Sequence, residues 1–344
     1  MQKIVVRRPG GFSRLELQTL PDPLPGAGEV RVAVRAAGVN YADCVVRMGL
    51  YKSAREFVGW PITPGFEFAG IVDAVGEGVS DLPVGSRVFG VTRFGGYASR
   101  IVAGRDWVAP IPAQLSFEQA GSFPVAFLTA RYGLMELGAA RAGSNVLIHS
   151  AAGGVGTALC QLARAAGVRC FAVVGSPHKL EHARAHGASE VVDKSRSDWR
   201  SAARAFAPNG FDVVLDANGA DTLKHSYQLL APMGRLIIYG FHTMMAHGGL
   251  PNLPRLVVQY LRTPRFDPLS MIDRNVGVFA FNLSYLFTQA HLYLDAMREF
   301  SAQLERGALT PLPVQTFPLA DAAGAHRALQ TGKILGKLAL VPEV

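Results

Sequence analysis

The stretch that decides the fold is NVLIHSAAGGVGTALCQLARAAG, which runs from Asn145 to Gly167. It begins with an apolar run typical of a buried strand, continues through a glycine-rich turn, and ends with the apolar periodicity of a helix. Glycines alone are weak evidence in a chain that has 37 of them, but a glycine-rich turn between a strand and a helix is typical of dinucleotide-binding sites. The segment therefore predicts an α/β domain that binds a dinucleotide.

The turn fits the pattern G-x-G-x-x-G, with Ala151 in place of the first glycine, followed by Gly153 and Gly156. We expect Gly153 to let the backbone approach a pyrophosphate, and Gly156 to let the helix pack closely on its strand. The free N–H groups at the start of the helix would face the phosphates. The residues predicted to bind the pyrophosphate are Ala152, Gly153, Gly154, Val155 and Gly156.

The end of the next predicted strand, about 20 residues further on, distinguishes the two nicotinamide cofactors. An NAD site places an acidic residue there, whereas this chain reads Gly-Ser-Pro-His-Lys over 175–179. A hydroxyl and an ammonium without a carboxylate suit a 2′-phosphate, so Ser176 and Lys179 are predicted to bind NADP(H). The alternative is that Ser176 caps a helix and Lys179 is a solvated charge.

The chain shows two different patterns of predicted secondary structure, and the change lies near Phe123. Up to residue 122, short strand-like runs such as EVRVAVRAAGV alternate with turns rich in Gly and Pro, which is typical of an all-β domain. From Phe123 onward, Val- and Ile-rich strands alternate with helices, which predicts a doubly wound parallel sheet. We therefore expect a β-rich domain up to residue 122, followed by a dinucleotide-binding domain that begins at Phe123.

Composition narrows the class of protein. The chain has 344 residues, of which 49% are hydrophobic and 17% charged, so it is too apolar for a disordered chain. No apolar run reaches the roughly 18 residues of a membrane-spanning helix, and MQKIVVRRPGG does not resemble a secretory signal. The three cysteines are scattered, which argues against disulfides and structural zinc. We expect a cytoplasmic protein without an integral membrane segment.

The chain is basic, with a net charge of +8. Its tightest basic group, Arg196, Arg200 and Arg204, has helical spacing and is typical of a solvated helix face. No motif of a nucleic-acid-binding module is recognisable in the sequence. The expected partner is therefore a small-molecule substrate and not a nucleic acid.

A β-rich domain followed by a central Rossmann domain resembles the medium-chain dehydrogenase/reductase superfamily. Zinc alcohol dehydrogenases of that superfamily carry a Cys after the first long strand and a Gly-His-Glu further on. Here the corresponding segments read AGVNYADCVVRMGLY and PGFEFAG, so that Asn40 and Asp43 lie in the first and Phe66 replaces the histidine. A tetrahedral zinc site needs three or four suitable ligands, and we expect no bound metal.

Among the zinc-free members, GVNYADCVVRMGLY and the run that follows PGFEFAG are similar to quinone oxidoreductases and zeta-crystallin. VLIHSAAGGVGTA, LLAPMGRLIIYGF and GKILGKLALVPE look most like the vesicle-amine-transport-protein branch of that group. The resemblance implies that the β-rich domain is GroES-like, comprises 1–122 and 286–344, and carries the substrate and catalytic groups. It also implies that the dinucleotide-binding domain spans 123–285. We also expect a homodimer.

The resemblance implies further cofactor contacts in the Rossmann domain and at the C-terminal strand. They are Thr129 at the nicotinamide ribose, Tyr239 and Gly240 beneath the ring, Phe281 and Asn282 at the carboxamide, and Lys337 closing the site. One departure concerns the end of the third strand, where many quinone oxidoreductases have Tyr and this chain has Lys194. That lysine puts adenosine stacking in doubt and adds positive charge.

The reaction implied is transfer of a hydride from NADPH to a quinone or an α,β-unsaturated carbonyl. Without a metal, polar side chains must stabilise the negative charge that develops on the substrate oxygen. The predicted catalytic residues are Asn40 as hydrogen-bond donor, Tyr51 as donor or proton source, and Asp43 as the residue that orients them. Their alternative roles are structural: a turn, a half-buried aromatic and a helix cap.

Two other functions stay open: an enoyl-thioester reductase, and a nucleotide-binding, membrane-peripheral regulatory protein with little catalysis. The basic net charge and a Pro- and Arg-containing insertion at 244–270 point to the second of these. The insertion is longer than a usual βα connection, and Leu256, Val257, Val258 and Leu261 form an apolar stripe. It is predicted to be mobile or to face a partner, unless it is one helix packed on its own domain.

Overall fold

The computed structural model describes residues 1–244 and 249–343. These residues form two compact units: Met1–Val125 with 249–251 and 283–343, and 126–244 with Asn252–Asn282. The division by function, into a substrate and catalytic domain (1–122 with 286–344) and a dinucleotide-binding domain (123–285), remains a proposal.

The strands of the described residues are, in chain order, β1 (Gln2–Val5), β2 (Glu16–Thr19), β3 (Glu29–Val39), β4 (Glu67–Val75), β5 (Arg87–Val91), β6 (Arg100–Gly104), β7 (Val108–Pro110), β8 (Asn145–His149), β9 (Arg169–Val174), β10 (Glu190–Asp193), β11 (Phe211–Asp216), β12 (Leu230–Ile238), β13 (Gly277–Ala280), β14 (Val314–Pro318) and β15 (Lys337–Val341). The α-helices of the same residues are α1 (Tyr41–Arg47), α2 (Lys52–Phe57), α3 (Phe117–Gly121), α4 (Pro124–Arg131), α5 (Gly154–Ala165), α6 (Leu180–Ala185), α7 (Trp199–Phe206), α8 (Leu223–Gln228), α9 (Leu253–Arg262), α10 (Pro268–Arg274), α11 (Ala290–Glu305) and α12 (Ala322–Gln330).

The first unit is built on a mixed sheet in the order β14-β15-β3-β4-β5-β7, with β6 also paired to β3. Alternate residues of β3, among them Val30, Val32 and Val34, are buried because successive side chains of a strand point to opposite faces. The last strand, β15, pairs antiparallel with β3, with Leu338 opposite Val39. This register brings the C-terminal part of the chain to the start of α1.

The second unit contains a parallel sheet in the order β10-β9-β8-β11-β12-β13 within the described residues. In chain order this is the 3-2-1-4-5-6 arrangement of a doubly wound dinucleotide-binding sheet. The predicted doubly wound sheet is confirmed. Its order reverses between β8 and β11, and ligands of such sheets bind beyond the carboxyl ends of the strands at that switch point.

One predicted helix is not regular throughout. The sequence predicts a helix from Pro124 to Gly138, but α4 ends at Arg131 and a π-helical turn occupies Tyr132–Leu137. Gly133 lies in this turn, and a Cβ there would meet the Leu215 side chain at 3.0 Å. Glycine is a weak helix former, so a widened turn costs little at this position.

The surface segments differ in part from expectation. Residues 245–248 of the insertion lie outside the described residues. Helix α9 occupies Leu253–Arg262, and α10 begins at Pro268 and extends past the insertion to Arg274. Of the predicted apolar stripe, Val257, Val258 and Leu261 are more than half exposed. Arg196 precedes α7, so the predicted basic helix face holds only Arg200 and Arg204. Within the part of the chain described here, no helix combines the length and apolar character needed to cross a bilayer.

Candidate functional site

The glycine-rich turn of the second unit leaves room for a ligand. A Cβ on Gly153 would meet its nearest neighbour, the Ser150 carbonyl oxygen, at an ordinary 3.5 Å, so the protein itself does not fill that space. A Cβ on Gly156 would lie 2.6 Å from Ala151 Cα, so this position requires glycine for α5 to pack on β8. The first turn of α5 consists of Gly154, Val155 and Gly156, and the N–H groups of these residues have no acceptor within the helix. These features fit a pyrophosphate.

Asp216, at the end of β11, fixes the loop on the other side of the switch point. Its Oδ1 accepts hydrogen bonds from the Asn218 N–H (2.8 Å), the Gly219 N–H (3.2 Å) and the Thr222 hydroxyl (3.0 Å). Across the switch point, the Ser150 hydroxyl donates to Asn218 Oδ1 at 2.8 Å. This hydrogen bond joins the glycine-rich turn after β8 to the loop after β11.

The loop after β9 holds Ser176 and Lys179. Ser176 lies at the N-cap position of a short 3₁₀ helix, as the alternative predicts, but its side chain makes no capping hydrogen bond. Lys179 is partly buried, and its pKa is lowered first by burial and then by the positive charge of Lys194. A hydroxyl and two ammonium groups are the donors that a 2′-phosphate needs.

Aromatic side chains gather at the ends of β12 and β13. The Tyr239 and Phe281 rings stack at 6.3 Å between centroids, and Tyr132 of the π-helical turn packs edge-on against Phe281 at 5.0 Å. A Cβ on Gly240 would meet the Ala217 carbonyl oxygen at 3.1 Å, so this residue is held close to the loop after β11. Of the other predicted cofactor residues, Thr129 is half-buried in α4 and Asn282 follows Phe281.

Asn40, one of the three predicted catalytic residues, is hydrogen-bonded to a buried ion pair. Lys337 Nζ lies 2.9 Å from Glu67 Oε1 and donates to Asn40 Oδ1 at 2.6 Å. The Asn40 Nδ2 donates to Glu67 Oε1 at 2.8 Å, and the Val125 N–H donates to Glu67 Oε2 at 2.8 Å. A lysine can only donate and a carboxylate only accept, so the amide orientation of Asn40 is fixed by chemistry. The second N–H of Asn40 makes no hydrogen bond within the described residues.

Asp43 is fully buried beneath Asn40. Its Oδ2 accepts from the Asn40 backbone N–H at 2.8 Å and its Oδ1 from the Gly65 N–H at 2.7 Å. Burial raises the pKa of this carboxyl to about 7, although the two N–H groups, the Tyr97 hydroxyl and the charge of Lys337 oppose the rise. Asp43 therefore holds the backbone of Asn40 and exposes no oxygen of its own to solvent.

A chain of buried hydrogen bonds leads to Asp43 from α12. Arg47 Nη1 lies 3.1 Å from His326 Nδ1, and His326 Nε2 lies 3.1 Å from the Tyr97 hydroxyl. Because arginine only donates, Nδ1 must accept and Nε2 carries the proton. The imidazole is neutral, since burial and the charge of Arg47 lower the pKa of His326 to about 3. Tyr97 is then free to donate to Asp43.

Tyr51 lies at the start of α2, and its hydroxyl is 3.1 Å from Ser284 Oγ. Its ring contacts Phe66 (5.7 Å) and Phe94 (6.4 Å) edge-on. Phe66 thus contributes to an aromatic cluster. Within the described residues, no group of three or more His, Cys, Asp or Glu side chains is placed to hold a metal ion.

Sequence reasoning missed Glu67, Asn218 and Asp216. Glu67 had a recognisable signal, because a carboxylate inside the apolar run of PGFEFAG must find a partner if it is buried. Lys337 was predicted to close the cofactor site from the C-terminal strand. Its ammonium bonds to Asn40, Glu67 and the Val39 carbonyl, and a contact with the cofactor stays a prediction.

Comparison with known proteins agrees with this architecture. The family model described as "Alcohol dehydrogenase GroES-like domain" matches residues 26–113, and the one described as "Zinc-binding dehydrogenase" matches 154–263. The β-rich unit is therefore GroES-like, as predicted.

Individual relatives span the chain. The synaptic vesicle membrane protein VAT-1 homolog of Rattus norvegicus is 34% identical over 337 residues, which cover 97% of this chain and 82% of the relative. The Escherichia coli quinone oxidoreductase complexed with NADPH is 27% identical, with a TM-score of 0.86 over 99% of this chain and 100% of that one. The CurK enoyl reductase is 31% identical, with a TM-score of 0.85 over 99% of each chain. This chain belongs to the medium-chain dehydrogenase/reductase superfamily, in its zinc-free quinone oxidoreductase group near the VAT-1 branch.

Proposed function

We propose that the protein is an oxidoreductase that transfers a hydride from NADPH to a quinone or an α,β-unsaturated carbonyl. The observation that carries the proposal is the fixed amide of Asn40. Its oxygen accepts from Lys337 and one of its N–H groups donates to Glu67 (2.6 and 2.8 Å). The remaining N–H is a preorganised donor of the kind that stabilises negative charge on a substrate oxygen.

The cofactor is NADP(H), and the residues of the second unit fit it. The first turn of α5 would hold the pyrophosphate, and Ser176 with Lys179 the 2′-phosphate. Thr129, Tyr239, Gly240, Phe281 and Asn282 are proposed to line the nicotinamide end. When bound, the reduced nicotinamide supplies the hydride.

The residues of the first unit have distinct proposed roles. Asn40 donates to the acceptor oxygen, and Asp43 keeps the Asn40 backbone in place through its 2.8 Å hydrogen bond. The Tyr51 hydroxyl, which shares a hydrogen bond with Ser284, supplies the proton that completes reduction. Lys337 and Glu67 act through Asn40 and are positioning residues.

An enoyl-thioester reductase is the second candidate, supported by the 31% identity to the CurK enoyl reductase. The remaining side-chain N–H of Asn40 would donate a hydrogen bond to the carbonyl oxygen of a thioester in the same way. A membrane-peripheral regulatory role is the third, and it is supported by the vesicle-membrane name of the rat relative and by the exposed side chains of Val257, Val258 and Leu261 on α9.

Location and assembly are also proposals. We propose a cytoplasmic homodimer. Strand β13 supports the dimer, because β12 pairs with one of its edges while no strand of the described residues covers the other. An open strand edge is a ready template for pairing with another chain.

Steady-state oxidation of NADPH with a panel of quinones, enones and enoyl thioesters tests the proposal. We expect turnover with quinones or enones, and a preference for enoyl thioesters would favour the second candidate. NADPH binding without turnover of any acceptor, together with sedimentation of the protein with anionic liposomes, would overturn the proposal in favour of the third.

A further inference from the structure

Arg93 lies in the loop after β5 of the first unit, between two aromatic rings. Its guanidinium carbon is 4.0 Å from the centroid of the Phe57 ring and 5.2 Å from that of the Phe287 ring. Its Nε donates to the Ser284 carbonyl at 3.3 Å. Within the described residues, Arg93 makes no ion pair and its two terminal nitrogens donate no hydrogen bond. The guanidinium is therefore held in place while most of its N–H donors stay unused.

The two rings around Arg93 are themselves fixed by neighbours. Trp107 stacks on Phe287 with 4.5 Å between the ring centroids. Tyr285 packs against Phe57 at 5.5 Å, and its hydroxyl donates to Glu56 at 2.6 Å. A donor that is already held by its surroundings loses little conformational freedom when it binds a ligand. This setting suits the recognition of an anion.

Arg93 is connected to the proposed proton donor, Tyr51, in two ways. Ser284 bonds to both side chains, since its carbonyl accepts from Arg93 and its hydroxyl lies 3.1 Å from the Tyr51 hydroxyl. Helix α2 also joins them, because Tyr51 is its N-cap and Phe57 its last residue. The helix is six residues long, which is about 9 Å at a rise of 1.5 Å per residue. An acceptor whose reacting carbonyl lay at Tyr51 would place its far end near Arg93.

We propose that Arg93 is a specificity-determining residue that binds a carboxylate of the acceptor. The two oxygens of a carboxylate match the planar fork of N–H groups on a guanidinium, and the charge strengthens each hydrogen bond. A neutral acceptor of the same shape gains no such bond. The inference rests on the proposed function and extends it, because it names the class of acceptor: a conjugated carbonyl compound with a carboxylate at its opposite end.

The test compares two rigid enones as acceptors for NADPH. One is para-carboxybenzylideneacetone, which carries its carboxylate opposite the ketone, and the other is the methyl ester of that acid. For the wild-type protein, kcat/KM should be about tenfold to a hundredfold higher with the acid than with the ester. Arg93→Gln should bring this ratio close to one. Equal kcat/KM values for the acid and the ester in the wild-type protein would overturn the proposal.

Arg55→Gln is the matched control. Arg55 is an exposed arginine of α2, the helix that ends at Phe57, so this variant removes the same charge from the same region. It should leave the acid-to-ester ratio at the wild-type value. If both variants lowered the ratio alike, the preference would come from the net charge of +8 and not from a contact with Arg93, and the proposal would be wrong.

Binding measured without turnover separates this proposal from the proposed function. The ligands are the saturated keto acid that corresponds to the reduced enone and the methyl ester of that keto acid, and calorimetric titration measures both affinities. Wild type should bind the keto acid about tenfold or more tightly than the ester, and Arg93→Gln should lose this difference. If neither enone were reduced but the keto acid were still preferred, only the proposed function would fail. Equal affinities for the two ligands in the wild-type protein would contradict the role of Arg93.

Discussion

Lys337 and Glu67, 270 residues apart in the chain, form an ion pair of 2.9 Å in which both side chains are buried. Water cannot stabilise either charge, so the pair depends on its own hydrogen bonds. Asn40 bonds to both partners and is therefore held by the pair. The stability of the first unit and the orientation of the proposed oxyanion donor have the same physical origin.

Removing one partner of this pair should be strongly destabilising. Lys337→Met leaves Glu67 buried without a counter-charge, which should lower the free energy of unfolding by about 3–5 kcal/mol. The double variant Lys337→Met, Glu67→Gln should recover part of that loss, because no buried charge remains. Urea unfolding measures the stability of both variants. If the free energy of unfolding of Lys337→Met lay within about 1 kcal/mol of wild type, the ion pair would contribute no more than an exposed pair does, which would contradict its burial.

Asn40→Ala should impair turnover while leaving cofactor binding intact. Loss of an oxyanion donor reduces kcat by about a hundredfold to a thousandfold, and Asn40 is not among the residues proposed to hold NADPH. Asn209→Ala, at an exposed turn, is the matched control and should retain full activity. Unchanged kcat for Asn40→Ala, measured with NADPH and an acceptor that the wild-type protein reduces, would remove Asn40 from the mechanism.

Asp43 should make stability depend on pH in a direction opposite to that of most carboxylates. Its pKa in the folded protein is about 7, against an ordinary value of 3.8, so the folded state binds this proton more tightly than the unfolded state. Its contribution to stability is therefore present at low pH and is lost as the pH rises from about 4 to about 7, by up to roughly 4 kcal/mol.

The measurement is urea unfolding of wild type and Asp43→Asn across that pH range. Asparagine offers one acceptor where Asp43 receives two backbone N–H groups, so the variant should be less stable throughout. The difference in the free energy of unfolding between wild type and Asp43→Asn should become smaller as the pH rises, because only wild type loses the contribution of a protonated Asp43. If this difference in the free energy of unfolding instead grew with pH, Asp43 would be ionised in the folded protein at low pH.

Purified protein should contain no stoichiometric zinc. Phe66 packs against Tyr51 and Phe94 at the position where the zinc alcohol dehydrogenases carry a histidine. Elemental analysis should find well under one zinc per chain, and a chelator should leave activity unchanged. One tightly bound zinc per chain would place the protein in another group of the superfamily.

The sequence predicted what depends on local pattern. The apolar periodicity of NVLIHSAAGGVGTALCQLARAAG was sufficient for β8, the glycine turn and α5, because each follows from neighbouring residues. The spacing to the turn likewise placed Ser176 and Lys179 in the loop after β9, and their role at the 2′-phosphate stays a prediction. The π-helical turn after α4 was missed, since its residues have an ordinary helical pattern.

What could not be predicted depends on register. Lys337 meets Asn40 only because β15 pairs antiparallel with β3, with Leu338 opposite Val39, and a shift of one residue would turn Lys337 to the other face. The apolar run around Glu67 indicated that this carboxylate needs a partner if it is buried, but the sequence did not show that the partner is Lys337. The buried chain from Arg47 through His326 and Tyr97 to Asp43 likewise joins distant segments, whose pairing no single sequence reveals.

If the protein transfers a hydride from NADPH to an electron-poor acceptor, the hydrogen that leaves C4 of the nicotinamide must appear on the product. The most direct test is a single turnover with NADPH that carries deuterium in both C4 positions, so that the transferred hydride is labelled whichever face of the ring it leaves. The acceptor is an enone, so that the label arrives on carbon and does not exchange with water. We predict that deuterium appears on the β-carbon of the reduced product, at a rate that Asn40→Ala lowers about a hundredfold or more. Bound NADPH that stays unoxidised, or a product without deuterium, would contradict the account.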